Sequence, residues 1–354
     1  MSNRLAAYSA HLPPELLAHL LDLNIRTVVD FILTPPLDLL ARLPRGSTSL
    51  GELTDCIASV AQEVAAEGVN GEDMYEAEMK RVIEMDGEEV KAGIADLDAL
   101  VGGSFGGAVG GRVFEVSGDK GGGKTALALH IVLNHLVHYE RAAAIWLDTM
   151  GELSPARITQ AYPAHTGPAA GTALERLHIS LAFDLDTVYN VLDGLRSALQ
   201  AATGNQPRPR IVVIDAITPL LGPQLTGVTA QGHATMVTFM RSLRELARSH
   251  SLCILVINTS TSANGPNPSS VFAETTRKPA LGPSFTFLTD ATLWVAHPPS
   301  PPPPPEREYD PLAEEQKGVE NPAEVRVVEV FRSSVSPGRR WCVVRVRNGL
   351  LAPL

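Results

Sequence analysis

The segment Gly118-Asp119-Lys120-Gly121-Gly122-Gly123-Lys124-Thr125 spells G-x-x-x-x-G-K-T between a strand-like run at 112–117 and a helix-like run at 126–139. This order of strand, glycine-rich turn and helix is what a phosphate-binding loop requires. Glycines let successive backbone N–H groups turn inward on an anion, and the following helix presents its positive end to the same phosphates. Lys124 is placed to reach the β/γ-phosphates, and the Thr125 hydroxyl is placed to hold Mg²⁺. All eight residues, Gly118, Asp119, Lys120, Gly121, Gly122, Gly123, Lys124 and Thr125, are therefore read as nucleotide-binding, with ATP and Mg²⁺ as the expected cofactors.

A length of 354 residues with 44% hydrophobic and 19% charged content suits one large folded domain with a smaller companion. The formal net charge of −10 argues against a surface coated in basic residues, so any nucleic-acid contact must be local. Cys56, Cys253 and Cys342 are far apart and form no C-x-x-C pair, which disfavours a zinc module and a disulfide framework. No apolar run has spanning length, and residues 1–12 lack the basic and apolar regions of a signal peptide. The expectation is a soluble protein of a reducing compartment, without membrane partners.

Residues 1–68 read as a small helical domain. Pro13-Pro14-Glu15 opens a run with Leu16, Leu17, Leu20 and Leu21, and Thr34-Pro35-Pro36 opens one with Leu37, Leu39, Leu40 and Leu43. A third run, started by Ser49, carries Leu53, Ile57, Val60 and Val64 on one face. The stretch 69–90 is acidic and weakly periodic, and reads as a partly ordered linker. Residues 91–354 form the large domain. There, strand candidates at 113–116, 142–147, 177–181, 211–214, 252–257 and 292–296 alternate with helices near 126–139, 154–162, 185–202 and 231–249. Such alternation predicts an α/β core, a mostly parallel sheet covered by helices on both faces. Runs at 325–331 and 341–347, separated by Ser336-Pro337-Gly338, predict a terminal antiparallel hairpin. The proline-rich stretch 297–322 reads as an extended, exposed insert.

Two strands end in an acid. Residues 211–214 lead into Asp215, and at the carboxyl end of a central strand beside the phosphate loop a carboxylate can hold Mg²⁺ through its water shell. Thr125 and Asp215 are accordingly the metal-site candidates. The second strand ends at Asp148, followed by Thr149-Met150-Gly151-Glu152.

The order helical module, linker, phosphate loop and acid-tipped strands resembles the RecA-like strand-exchange recombinases of eukaryotes and archaea. In their active members the second acid-tipped strand is followed by a segment resembling Asp-Thr-Glu-Gly, whose Glu positions the attacking water. This chain has Met150 there, and a thioether cannot take a proton from water. Asp148 and Glu152 are the nearby carboxylates that could stand in, and ATP binding with at most slow hydrolysis is expected. Within the family the chain resembles the D-type paralogue most closely. Residues 91–100 are similar to its T-G-I-x-x-L-D-x-L entry to the core, and Lys278-Pro279-Ala280-Leu281-Gly282-Pro283-Ser284-Phe285 to its K-P-A-L-G segment. Val256-Ile257-Asn258-Thr259 resembles the strand end that senses the γ-phosphate and opens a DNA-facing second loop. Lys124, Asp148 and Asn258 are the catalytic candidates that follow.

The resemblance implies a RecA-like core, a nuclear location and a role in homologous-recombination repair. It further implies assembly with sister paralogues to load or stabilise the recombinase on single-stranded DNA. The rival reading is a DNA-dependent ATPase or filament-forming recombinase in its own right. The second loop, 260–277, is flexible and polar in composition, with Arg277 and Lys278 as its basic residues and Phe272 available for stacking. Further basic candidates are Arg208 with Arg210, the row Arg241, Arg244 and Arg248, and Arg339 with Arg340. So thin a footprint implies weak, salt-sensitive binding of single-stranded or branched DNA.

Overall fold

The computed structural model describes all residues except 1–3, 66–67, 85–86, 109, 163–164, 202–205, 226–229, 299–324, 348–349 and 353–354. Nearly all of the proline-rich insert expected at 297–322 therefore lies outside the described residues. Two compact units are present, Met1–Met79 and Lys80–Leu354.

The first unit is helical. Its main elements are α1 (Pro14–Asp22), α2 (Val28–Leu33), α3 (Pro36–Arg42) and α4 (Leu50–Val64). Proline at the first helical position starts α1 and α3, where its missing N–H leaves nothing unsatisfied. Ser49 and Glu52 close a capping box on α4, with the Ser49 N–H donating to Glu52 at 2.8 Å and the Glu52 N–H donating to Ser49 Oγ at 3.2 Å. The apolar faces of these helices meet in one cluster built on Leu16, Leu20, Phe31, Leu39, Leu53 and Val60. The stretch expected as a partly ordered linker instead holds a regular helix, α5 (Gly71–Glu84). Asn70 caps it, accepting the Asp73 N–H at 2.9 Å. The run of Glu, Met, Ala and Lys has high helix propensity; Tyr75, Met79, Val82 and Ile83 recur at helical spacing, but Met74, Tyr75, Met79 and Ile83 stay exposed among the acids.

The second unit has, in chain order, β1 (Glu89–Val90), α6 (Ala95–Leu100), β2 (Gly106–Gly107), β3 (Arg112–Gly118), α7 (Lys124–His138) and β4 (Ala142–Asp148). Next come α8 (Pro155–Ala161), β5 (Leu177–Leu181), α9 (Leu185–Ala201), β6 (Arg208–Asp215), α10 (Thr218–Leu221), α11 (Ala230–His250) and β7 (Cys253–Asn258). The chain ends with β8 (Ser260–Ser262), β9 (Arg277–Pro279), α12 (Gly282–Thr286), β10 (Ala291–Ala296), β11 (Val325–Ser333), β12 (Trp341–Arg347) and β13 (Leu350–Ala352). The main sheet runs β13-β12-β11-β10-β3-β7-β6-β4-β5. Its members from β10 to β5 pair in parallel, and β11, β12 and β13 add antiparallel strands at one edge. All six parallel strands and the hairpin agree with the sequence expectation. The short pairs β1–β2 and β8–β9, and β13, are additions of two or three residues that carry no pattern of their own.

Why the central strands are continuously apolar is visible in how their side chains divide. Ile211 and Val213 of β6, with Leu255 and Ile257 of β7, join α7 in one cluster. Val212, Ile214, Ile254 and Val256 join α9 and α11 in another. Successive residues of a strand point to opposite faces, and here both faces are covered.

An ionic cluster secures the entry to this unit. Glu88, only 8% exposed just before β1, receives Arg210 Nε of β6 at 3.0 Å and His135 Nε2 of α7 at 3.0 Å. Burial alone would raise the Glu88 pKa, but the His135 hydrogen bond and the Arg210 charge hold it below the ordinary carboxylate range. Burial likewise keeps His135 below its usual value, so it acts as a neutral donor. Removing one member of a buried pair strands the other's charge in low dielectric. Glu88→Ala should therefore destabilise the core by about 3 kcal/mol, read as a lower midpoint in its urea unfolding transition. A midpoint unchanged from wild type would show that the cluster contributes nothing.

Candidate nucleotide site at the carboxyl edge of the sheet

Because the central strands are parallel, their last residues share one edge. Register sets Ser117 beside Asn258, Ile257 beside Asp215 and Asp215 beside Asp148. The phosphate loop leaves β3 at this edge. Gly118 has φ +151°, and a Cβ there would stand 2.1 Å from the Val295 carbonyl oxygen of β10, so no larger residue fits. Gly123, at φ +103°, is the left-handed residue that turns the loop into α7. Lys124 Nζ donates to the carbonyls of Gly118 and Asp119, at 2.8 Å each, folding the side chain back over the loop. Burial lowers its pKa, opposed by the charges of Asp215 and Asp119.

The Thr125 hydroxyl donates to Asp215 Oδ2 at 3.0 Å, joining residues ninety positions apart. Burial pushes the Asp215 carboxyl up to about 6, with the Asp148 charge adding to the rise and Thr125, Arg157 and Lys124 opposing it. A hydroxyl and a carboxylate in contact at the head of a helix form the oxygen donor set that a hard divalent cation takes. The residues present therefore fit Mg²⁺ with a phosphorylated ligand.

Asp148, a catalytic candidate from the sequence, is engaged by the backbone of the turn that follows it. It is 3% exposed, and its Oδ1 accepts the N–H groups of Met150 at 3.0 Å, Gly151 at 2.8 Å and Glu152 at 3.3 Å, while Oδ2 accepts Leu153 N–H at 2.9 Å. A carboxylate holding four backbone donors organises a turn and is poorly placed to take a proton from water. Asp148 therefore shapes the segment that carries Met150, which is 52% exposed, and Glu152, which is also exposed.

Asn258 is fully buried, with both ends of its amide engaged. Its Nδ2 donates to Glu115 Oε1 at 2.7 Å, and its Oδ1 accepts the Thr218 hydroxyl at 2.8 Å. Thr218 Oγ1 in turn accepts the Thr259 N–H at 2.9 Å. Glu115, 0% exposed in the middle of β3, also accepts the hydroxyls of Ser117 at 2.7 Å and Thr292 at 2.8 Å, and burial raises its pKa. Sequence reasoning passed over Glu115 because one polar residue in a strand reads as an outward-facing position. The signal available was that its neighbours sit in a continuously apolar, doubly covered strand.

The second loop differs most from expectation. Arg277 is not free to reach outward: its Nε donates to Asp119 Oδ1 of the phosphate loop at 2.8 Å and its Nη2 to Ser260 Oγ at 2.7 Å. Ser260 Oγ also hydrogen-bonds to Asp119 Oδ1. Further along, Ser270 Oγ donates to Glu329 Oε2 of β11 at 2.8 Å, and Val271 N–H donates to Glu329 Oε1. Phe272, expected to be available for stacking, instead meets Trp341 of β12 edge-on with ring centroids 5.6 Å apart. A loop whose composition suggests flexibility is thus attached at both the phosphate loop and the hairpin. Two other basic candidates are engaged as well, Arg210 with Glu88 and Arg244 with Asp290 at 3.2 Å. Lys278, Arg339 and Arg340 are exposed.

A doubly covered parallel sheet with an antiparallel margin, and a glycine-rich loop facing the acid tip of a strand two places away in the sheet, define a RecA-like recombinase fold. The crystal structure of the RadB recombinase agrees, with a TM-score of 0.51 and 21% identity over 75% of this chain and 99% of that one. The Rad51 family model matches residues 85–295, and the chain belongs to the Rad51 family. It is 31% identical over 274 residues to the DNA repair protein RAD51 homolog 4 of Bos taurus, covering 76% of this chain and 78% of the relative. To the protein of the same name from Mus musculus it is 28% identical over 223 residues, covering 62% and 63% of the two chains. The chain is a Rad51 paralogue of this homolog 4 type, consistent with a part in homologous-recombination DNA repair. Among the described residues no helix is long and apolar enough to cross a membrane.

If Glu329 is the clasp for the second loop, Glu329→Ala should loosen the segment around 265–275. Limited proteolysis should then cut there at least several-fold faster than in wild type, because cleavage follows the population of the open loop. Equal cleavage rates would show that the loop is held by other contacts.

Proposed function

We propose that this Rad51 paralogue binds Mg-ATP at the carboxyl edge of its sheet and works in the nucleus by nucleotide-dependent assembly with sister paralogues. The single observation that supports the reading most is the 3.0 Å contact between Thr125 and Asp215, which brings the end of the phosphate loop onto the acid of β6. Lys124 would hold the phosphates, the N–H groups of residues 118–125 would surround them, and Thr125 with Asp215 would hold the metal. A metal held there would supply positive charge against the phosphates. Asn258, locked between Glu115 and Thr218, would present the end of β7 to the terminal phosphate and pass its presence to Thr259 and the second loop.

Such a site serves as a binding switch. A ligand that favours the assembled state stabilises assembly by its differential affinity and needs no rapid turnover. Met150 supports that emphasis, since its position lacks a group that can take a proton. The helical residues 1–68 and the core from residue 91 are proposed as separate partner-binding bodies, and contact with single-stranded DNA as weak.

A fluorescent ATP analogue should bind in the presence of Mg²⁺, and Lys124→Ala should weaken it about tenfold or more, by removing a fixed charge from a partly desolvated cradle. Unchanged affinity would overturn the nucleotide assignment. The partner part is tested by affinity purification from DNA-damaged cells. The wild-type chain should bring down other Rad51-family chains and Lys124→Ala should bring down fewer.

Hydrolysis should be slow. Met150→Glu should raise it about tenfold or more, because the turn uses the backbone N–H of this position and its exposed side chain is replaceable. Fast DNA-stimulated turnover by wild type would show that another group supplies the base.

A further inference from the structure

Asp119 is an uncomfortable residue for a phosphate cradle. It sits second in the loop, its carbonyl accepts Lys124 Nζ at 2.8 Å, and its carboxylate lies at the same turn. A negative group there opposes an incoming triphosphate. Of the loop's two lysines, Lys120 is exposed and Lys124 is folded back on the Gly118 and Asp119 carbonyls.

The structure supplies a counter-charge from far along the chain. Arg277 Nε donates to Asp119 Oδ1 at 2.8 Å, across 158 positions, and its Nη2 donates at 2.7 Å to Ser260 Oγ, which hydrogen-bonds the same carboxylate oxygen. Asp119 thus joins two cations, holding Lys124 by its carbonyl and Arg277 by its carboxylate.

We propose that Arg277 is a positioning residue of the nucleotide site, acting through Asp119 to neutralise the one carboxylate that the phosphate loop itself carries. The inference rests on the nucleotide reading above and deepens it. It removes Arg277 from the DNA-facing residues. It also makes the Asp119–Arg277 pair the point at which the phosphate loop and the second loop share one interaction, since Arg277 opens β9 and Ser260 opens β8. Phosphate charge arriving at the loop attracts the same guanidinium that holds the second loop down, so nucleotide binding and loop attachment are energetically linked. Both side chains are partly exposed, 41% for Arg277 and 47% for Asp119, so the effect is moderate and screened by salt.

The test measures the affinity of the full chain for a fluorescent ATP analogue with Mg²⁺, comparing wild type, Arg277→Ala, Asp119→Asn, the double variant and Lys124→Ala. Thermal unfolding first confirms that each variant is folded. Arg277→Ala should weaken binding about threefold to tenfold, and less as salt is raised. Asp119→Asn keeps the backbone N–H that the loop would offer the phosphates and removes only the opposing charge, so it should bind more tightly than wild type. The double variant should return to within about twofold of wild type, because removing the carboxylate removes the need for its counter-charge. If Arg277 mattered only as a strut for the loop, Asp119→Asn would weaken binding and would not rescue Arg277→Ala. Either result, or wild-type affinity in Arg277→Ala, overturns the proposal. Lys124→Ala separates the two failures: loss of affinity there with none in Arg277→Ala sinks only this inference, whereas wild-type affinity in Lys124→Ala sinks the nucleotide reading itself.

Discussion

Everything at the site depends on the parallel pairing of β3, β7, β6 and β4. Parallel strands end on the same side, so residues 118, 258, 215 and 148, distant in sequence, are delivered to one edge by backbone hydrogen bonds alone. The Thr125–Asp215 contact is a consequence of that delivery. Were β6 reversed in the sheet, Asp215 would lie at the opposite end, and the phosphate loop would lose the acid it faces.

Three buried glutamates show how the same side chain serves different ends. Glu88 keeps its charge because Arg210 and His135 answer it, and it fastens the segment entering the core. Glu115 has no cation among its hydrogen-bond partners; it is answered by the Asn258 amide and two hydroxyls, and burial raises its pKa. Glu329 receives a backbone N–H and a hydroxyl from the second loop. A buried carboxylate without partners would be costly, so each of these acids dictates where a neighbouring element must lie. Glu115 orients the end of β7, and Glu329 orients the loop that follows it.

The state of the second loop follows from these attachments. With Ser260 and Arg277 on Asp119, Ser270 and Val271 on Glu329, and Phe272 on Trp341, the loop bridges the phosphate-binding strand and the terminal hairpin. Lys278, in the middle of β9 opposite Thr261, is an exposed basic side chain beside it. This arrangement leaves few basic side chains of the loop directed outward. The total charge of the chain is acidic as well.

The sequence by itself determined the fold class, the phosphate loop and the acids at the strand ends. Strand–glycine–helix punctuation, apolar runs of strand length and the capping box of α4 are local signals, and each states its own conformation. Helix α5 is less legible, because its few apolar residues are set among acids and stay exposed. Only the tertiary structure decided what the polar residues do. Asp148 and Asp215 look alike in sequence, each closing an apolar strand, yet one holds a turn by four backbone N–H groups and the other faces Thr125. Arg277 and Phe272 look like surface residues of a polar loop until Asp119 and Trp341 are placed beside them. The physical reason is that a polar side chain's role is set by the partner the fold places beside it: for Asp215, Arg277 and Phe272 that partner lies dozens to more than a hundred residues away, where no spacing rule reaches, and for Asp148 it is the local turn that follows its strand.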